Sequence, residues 1–184
     1  MIDYSIISEC YIDTNLIETI VPSINACNHQ KGCGTVTMIM QKKFQDKFAV
    51  GIVDKDKKEL IYANEFDEII NLVDLQLFRH KNYSIHHYLI FIKPAIEVWI
   101  LNASKEAGIS MIEYGFSNDL FILTKRTKKI TSKNDNDFKK LFKELKSNNL
   151  KNINILSEWL KYLHEQTYNS NINDLINITN QCLK

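Results

Sequence analysis

Hydrophobic positions in this chain follow two rhythms. Up to Gly108, short runs rich in β-branched residues alternate with segments of helical spacing; beyond it, apolar residues recur mainly every three or four positions. Tyr4–Tyr11 reads as a first strand ending near Glu9. Asp13 then stands as an N-cap before Leu16, Ile17, Ile20 and Val21, a helix closed by Pro22 or Ser23. An irregular loop over Cys27–Gly34 leads to a helix at Thr35–Phe44. Phe48–Val53 is a continuous apolar run, too short for a core helix, and reads as a strand buried on both faces. A short helix is expected over Asn64–Val73, then strands at Leu75–His80 and His87–Ile92 around a polar turn at 81–84. Pro94 at a first helical position opens a helix running to Ala107, with Gly108 past its end.

Residues 109–129 are mixed, with Leu120–Thr124 a short strand or a helical piece. A polar linker over 131–137 precedes amphipathic helices at Phe138–Lys146 and Ile153–His164 and a weaker one at Ile172–Leu183. The expectation is an α/β fold: a mainly parallel sheet flanked by helices over 1–108, with a helical C-terminal extension over 109–184 packed on the same domain.

Composition narrows the class. At 184 residues the chain has the size of one domain, and its 45% hydrophobic and 24% charged fractions are those of a globular protein. A net charge of +1 gives no overall field for a polyanion, which leaves only a local patch such as Lys125–Lys129. Cys10, Cys27, Cys33 and Cys182 form no CxxC pair, which suits reduced thiols. The start lacks the pattern of a signal peptide, and no apolar run approaches the ~20 residues that span a bilayer. The expectation is a cytoplasmic protein with no membrane partner.

Candidate chemistry lies at the strand ends. Glu9, Asp54, Asp56 and Glu97 each fall at or just beyond the carboxyl end of an expected strand, the edge at which open α/β sheets place ligands. Carboxylates gathered there repel one another, and a divalent cation relieves the repulsion. Hard oxygen ligands suit Mg²⁺, or Mn²⁺, with Glu9, Asp54 and Asp56 as ligands and Glu97 assisting. Lys55, Lys57 and Lys93 lie beside these positions, where ammonium groups contact phosphate. Each also has a plainer reading: Glu9 as a strand-ending surface residue, Asp56 as a helix cap, Glu97 as a favourable first-turn charge, the lysines as solvated. Cys27, His29 and Cys33 are too few and too isolated for a structural zinc site. The Gly32–Gly34 loop matches neither phosphate-loop fingerprint.

A glutamate after the first strand, then Asp-x-Asp after a later one with a helix between, resembles the topoisomerase-primase (TOPRIM) domain. Ile96–Leu101, following Lys93-Pro94, looks like the Glu-x-Trp helix of RloB-like and related TOPRIM-like proteins of bacterial defence loci. The resemblance covers about residues 4 to 108. It implies a Mg²⁺-dependent nuclease acting on DNA or RNA, part of an anti-phage system, with an ATPase partner protein. The chain departs from the family in having Cys10 where many TOPRIM domains have glycine. The competing expectation is a non-catalytic interaction or regulatory subunit of an ATPase-containing complex. A nucleotide binder using the Gly32–Gly34 loop is the weaker third.

Overall fold

The computed structural model of the protein describes residues 5–24, 26–55 and 60–184. Its six described strands, β1 (Ile6–Ser8), β2 (Asn28–His29), β3 (Ala49–Asp54), β4 (Phe66–Asn71), β5 (Leu75–His80) and β6 (His87–Ile92), form one sheet in the order β2-β1-β3-β6-β5-β4. The first four in that order run parallel, and β5 and β4 continue the sheet antiparallel. Around it lie α1 (Tyr11–Ile20), α2 (Cys33–Lys43), α3 (Ile96–Glu106), α4 (Leu120–Thr127), α5 (Asn136–Ser147), α6 (Lys151–Gln166) and α7 (Ile172–Leu183).

Strand β3 sits at the centre because its apolar run feeds two cores. Val50 and Ile52 join the cluster that holds α1, α3, α5 and α6, while Ala49 and Val53 face α2. That two-residue period is the pleat of a strand covered on both sides. Gly51 allows α2 to come close: a Cβ there would stand 2.7 Å from Met40 Sδ and 2.8 Å from Leu89 Cδ2. No larger residue fits without displacing both neighbours.

Chain direction then makes a crevice. After β1 the chain crosses by α1 to β2 on one side, and after β2 it crosses by α2 to β3 on the other. The connections leaving the carboxyl ends of β1 and β3 therefore diverge, the switch point at which open α/β sheets take ligands.

Several expected boundaries move. Residues 64–73 are not helical: Ile61–Glu65 is a 3-10 turn and β4 follows. Phe66, Ile69, Ile70 and Val73 carry a helical spacing, but pairing with β5, through a register shift between Glu68 and Ile70, gives the segment its hydrogen bonds. Helix α1 begins at Tyr11, so Asp13 is not its cap; Cys10 is. Ala95, rather than Pro94, flanks α3 as its N-cap, and Lys93-Pro94 is a cis peptide. Helix α2 starts at Cys33, with Gly32 at a φ of 89° as its N-cap, so the glycine loop is shorter than expected. Leu120–Thr124 belongs to α4.

The later helices share the main core. Phe138, Leu141 and Leu145 of α5 and Leu156, Trp159 and Leu160 of α6 are buried with Leu16 of α1 and Tyr88 of β6. Asn15 on α1 is fully buried and donates to the carbonyls of Ser132 at 2.7 Å and Asp135 at 3.1 Å. No described helix is long and apolar enough to cross a membrane.

Candidate functional site

The switch-point crevice is a cavity of about 500 Å³ walled by Glu9, Asp54, Glu97, Lys31 and Lys128 among others. Each acid arrives on a different element: Glu9 follows β1, Asp54 ends β3, and Glu97 is the second residue of α3, which follows β6. Asp13 stands behind them in the first turn of α1, 1% exposed.

Hydrogen bonds to backbone hold the acids in place. Glu9 Oε2 accepts from the Asp54 N–H at 2.9 Å, tying the end of β1 to the end of β3. Asp54 Oδ1 accepts from the Ile96 N–H at 2.9 Å. Ala95 offers α3 no side-chain cap, so a carboxylate from β3 takes that role at the positive end of the helix. Asp13 Oδ2 accepts from the Cys10 N–H at 3.0 Å, and its Oδ1 is buried without a hydrogen-bond partner. Glu97 Oε1 accepts from the Thr127 hydroxyl at 2.5 Å, which links α3 to α4.

Crowding shifts their protonation. Burial, and then the charges of Asp13, Glu9 and Glu97, push the Asp54 carboxyl well above the ordinary carboxylate range. Asp13 is raised as well, by burial first and by Glu9 and Glu97 after it, with the Cys10 hydrogen bonds opposing. The Cys10 thiol is pushed far up by burial and then by Asp13, which makes it a poor nucleophile. His29 lies on the wall stacked on Tyr11, ring centroids 3.9 Å apart, and burial leads the lowering of its pKa.

Of the residues singled out in the sequence, Glu9, Asp54 and Glu97 meet here. Asp56 and Lys57 lie outside the described residues. Lys55 and Lys93 do not join the wall. Lys55 holds its ammonium 4.7 Å from the Phe91 ring centroid, and Lys93 donates to Asn71 Oδ1 at 3.0 Å. Among the described residues, no three His, Cys, Asp or Glu side chains stand close enough to ligate one ion, and this includes Cys27, His29 and Cys33. Sequence reasoning missed Asp13, Lys31 and Thr127, and it singled out Lys128 only within the basic Lys125–Lys129 cluster. Asp13, four residues after Glu9, carried a readable signal, since a first-turn acid pairs back to the cap. Thr127 carried none, and the basic cluster gave no hint that Lys128 meets the acids, because only the fold brings α4 to this edge.

No family model matches the chain, and neither the curated proteins nor the solved structures yield a match.

Proposed function

We propose that the protein is a metal-dependent nuclease of TOPRIM type, cleaving phosphodiester bonds of DNA or RNA at the switch-point cavity. One observation carries this reading: acids from three separated segments, Glu9 with Asp13, Asp54 and Glu97, crowd one buried sheet edge, where burial first and then the neighbouring charges hold the Asp54 carboxyl above the ordinary range. Such an arrangement is costly unless a cation shares the charge. The donor chemistry fits Mg²⁺ or Mn²⁺, which need only one or two carboxylates and complete their shell with water and phosphate oxygens. Glu9 and Asp54 would hold the ion, with Asp13 and its unpartnered Oδ1 supporting them from behind. When bound, the ion would polarise a phosphate oxygen and activate water. Glu97, anchored by Thr127, is placed to orient that water or take its proton, and Lys31 and Lys128 to receive the substrate's phosphates.

Helix α4 also supports a second reading. Phe121 and Ile122 on α4 and Ile130 beyond its end are 67%, 54% and 69% exposed, and Ile130 lines the cavity, which suits a docking subunit of a larger assembly, such as an ATPase complex. Titrating Mn²⁺ into wild type and Asp54→Ala by calorimetry, with plasmid nicking and RNA degradation followed in parallel, separates the two. Binding and cleavage lost together in the variant support the nuclease. Equal binding in both proteins, or none in either, removes the acidic site and leaves the docking subunit.

A further inference from the structure

A different feature lies at the opposite end of the sheet. Residue pairing places Asp54 and Leu75 beside Ile92 at one end, and Arg79 beside Tyr88 toward the other, about 13 Å away along the strand. Arg79 is only 6% exposed. It has no carboxylate within salt-bridge distance among the described residues, and its Nη1 is buried without a partner. Its Nε donates to the Tyr88 hydroxyl at 3.0 Å, and its Nη2 makes a long 3.4 Å contact to the Tyr83 carbonyl. A guanidinium carries five donors and cannot shed its charge, so burial with this few acceptors is unusual.

Two further observations converge on the same place. The Tyr88 hydroxyl accepts from Arg79, and Ser170 Oγ, 2.9 Å away, spends its proton on the Thr167 carbonyl at 2.7 Å. The hydroxyl of Tyr88 therefore donates to Ser170, and the chain of bonds runs from the guanidinium to Thr167. Thr167 has φ 47° and ψ −113°, a conformation disfavoured for a β-branched residue and of the kind that clusters at ligand sites. The ring of Tyr168 meets His86 at 5.2 Å, and His86 Nδ1 is again buried without a partner.

We propose that Arg79 anchors a second ligand site, formed with Tyr83, His86 and the Thr167–Ser170 loop, which takes a phosphate group. The open donors of the guanidinium fork match phosphate oxygens in plane, and His86, near enough to feel the Arg79 charge, adds its unpartnered Nδ1. Tyr83, 65% exposed in the β5–β6 turn, lies over the guanidinium at 4.4 Å. Rotation of that one surface side chain would free the guanidinium face that the ring covers. Tyr83 and the half-exposed Tyr168 offer ring faces on which the base of a nucleotide can stack, so the phosphate can be free or nucleotide-borne. The site is independent of the nuclease reading, since it shares no residue with the carboxylate cavity.

The test uses full-length protein in EDTA, so that no phosphate is held through metal at Asp54. Inorganic phosphate, AMP and adenosine are titrated by calorimetry and thermal melting. Saturable binding of phosphate or AMP, weakened about tenfold or more by Arg79→Met and unchanged in Asp54→Asn, is the expected result. Tighter AMP than phosphate identifies a nucleotide; equal affinity identifies free phosphate. Arg79→Met alone should melt no lower than wild type, because an unpaired buried charge is replaced by an apolar stem of similar length. Should that variant fail to fold, Arg79→Lys keeps the charge without the fork and the same tenfold loss is expected. Absence of saturable binding by wild type to any phosphate probe overturns the site, as does binding that is equal in the Arg79 variant.

Discussion

Asp54 holds opposing roles. Its carboxylate caps α3 through Ile96, yet burial and three neighbouring acids disfavour its charge. Asn at this position keeps the cap acceptor and removes the repulsion, so Asp54→Asn should raise the melting temperature of the metal-free protein while abolishing its response to Mn²⁺. The pH dependence has a definite sign. A carboxyl whose folded pKa is raised binds more protons folded than unfolded, so stability falls as pH rises above the ordinary value of 3.8. The stabilisation by Asp54→Asn should therefore widen from about pH 5 toward pH 8, as followed by thermal melts. A variant that melts lower than wild type across that range would remove the repulsion argument. Gly51 is the opposite kind of residue, fixed by space alone. Gly51→Ala should cost about 1–3 kcal/mol in chemical denaturation, because Met40, Leu89 and Val36 all crowd the added methyl.

Elements decide which side chains reach the cavity. Helix α1 turns Asp13 inward because Cys10, not Asp13, is its cap, and the first-turn acid then reaches back to the Cys10 N–H. Helix α4 ends at Lys128 on the cavity wall, and its Lys125 lies 4.0 Å from the exposed Phe121 ring. Ammonium groups interleaved with an open aromatic suit a nucleic-acid strand, with phosphates on lysine and a base on the ring. Lys128→Glu and Phe121→Ala should each weaken binding of labelled single-stranded oligonucleotide several-fold in anisotropy titrations, and Lys128→Glu should also flatten the salt dependence. Unchanged affinity in both would direct attention to the apolar face of α4 as a protein contact. The strand β4 teaches a related lesson. Its apolar spacing is helical, and its β identity comes from the hydrogen bonds that β5 provides across the hairpin.

At the scale of the whole molecule, residues after Gly108 complete the fold rather than decorate it. They supply Phe138, Leu141, Trp159 and Leu160 to the cluster that buries Val50 and Tyr88, and Thr127 to the site. A chain ended at Gly108 should therefore lose cooperative unfolding and bind a hydrophobic dye. Trp159→Ala in the full chain should cost about 3–5 kcal/mol in denaturant unfolding. A folded, cooperative fragment over 1–108 would show the extension to be dispensable. The central strand, the three C-terminal helices, the β5 and β6 pair, and the placing of Glu9, Asp54 and Glu97 at strand ends were all legible along the chain. Those features rest on local periodicity, and on a length of apolar run that allows one conformation. Contacts between distant segments made β4 a strand, turned Asp13 toward the acids, aimed Lys55 and Lys93 elsewhere, and put Lys31 and Lys128 on the wall. Those outcomes depend on which elements become neighbours, and residues 9, 54, 97 and 127 approach through sheet order and helix packing, which no spacing along the chain encodes.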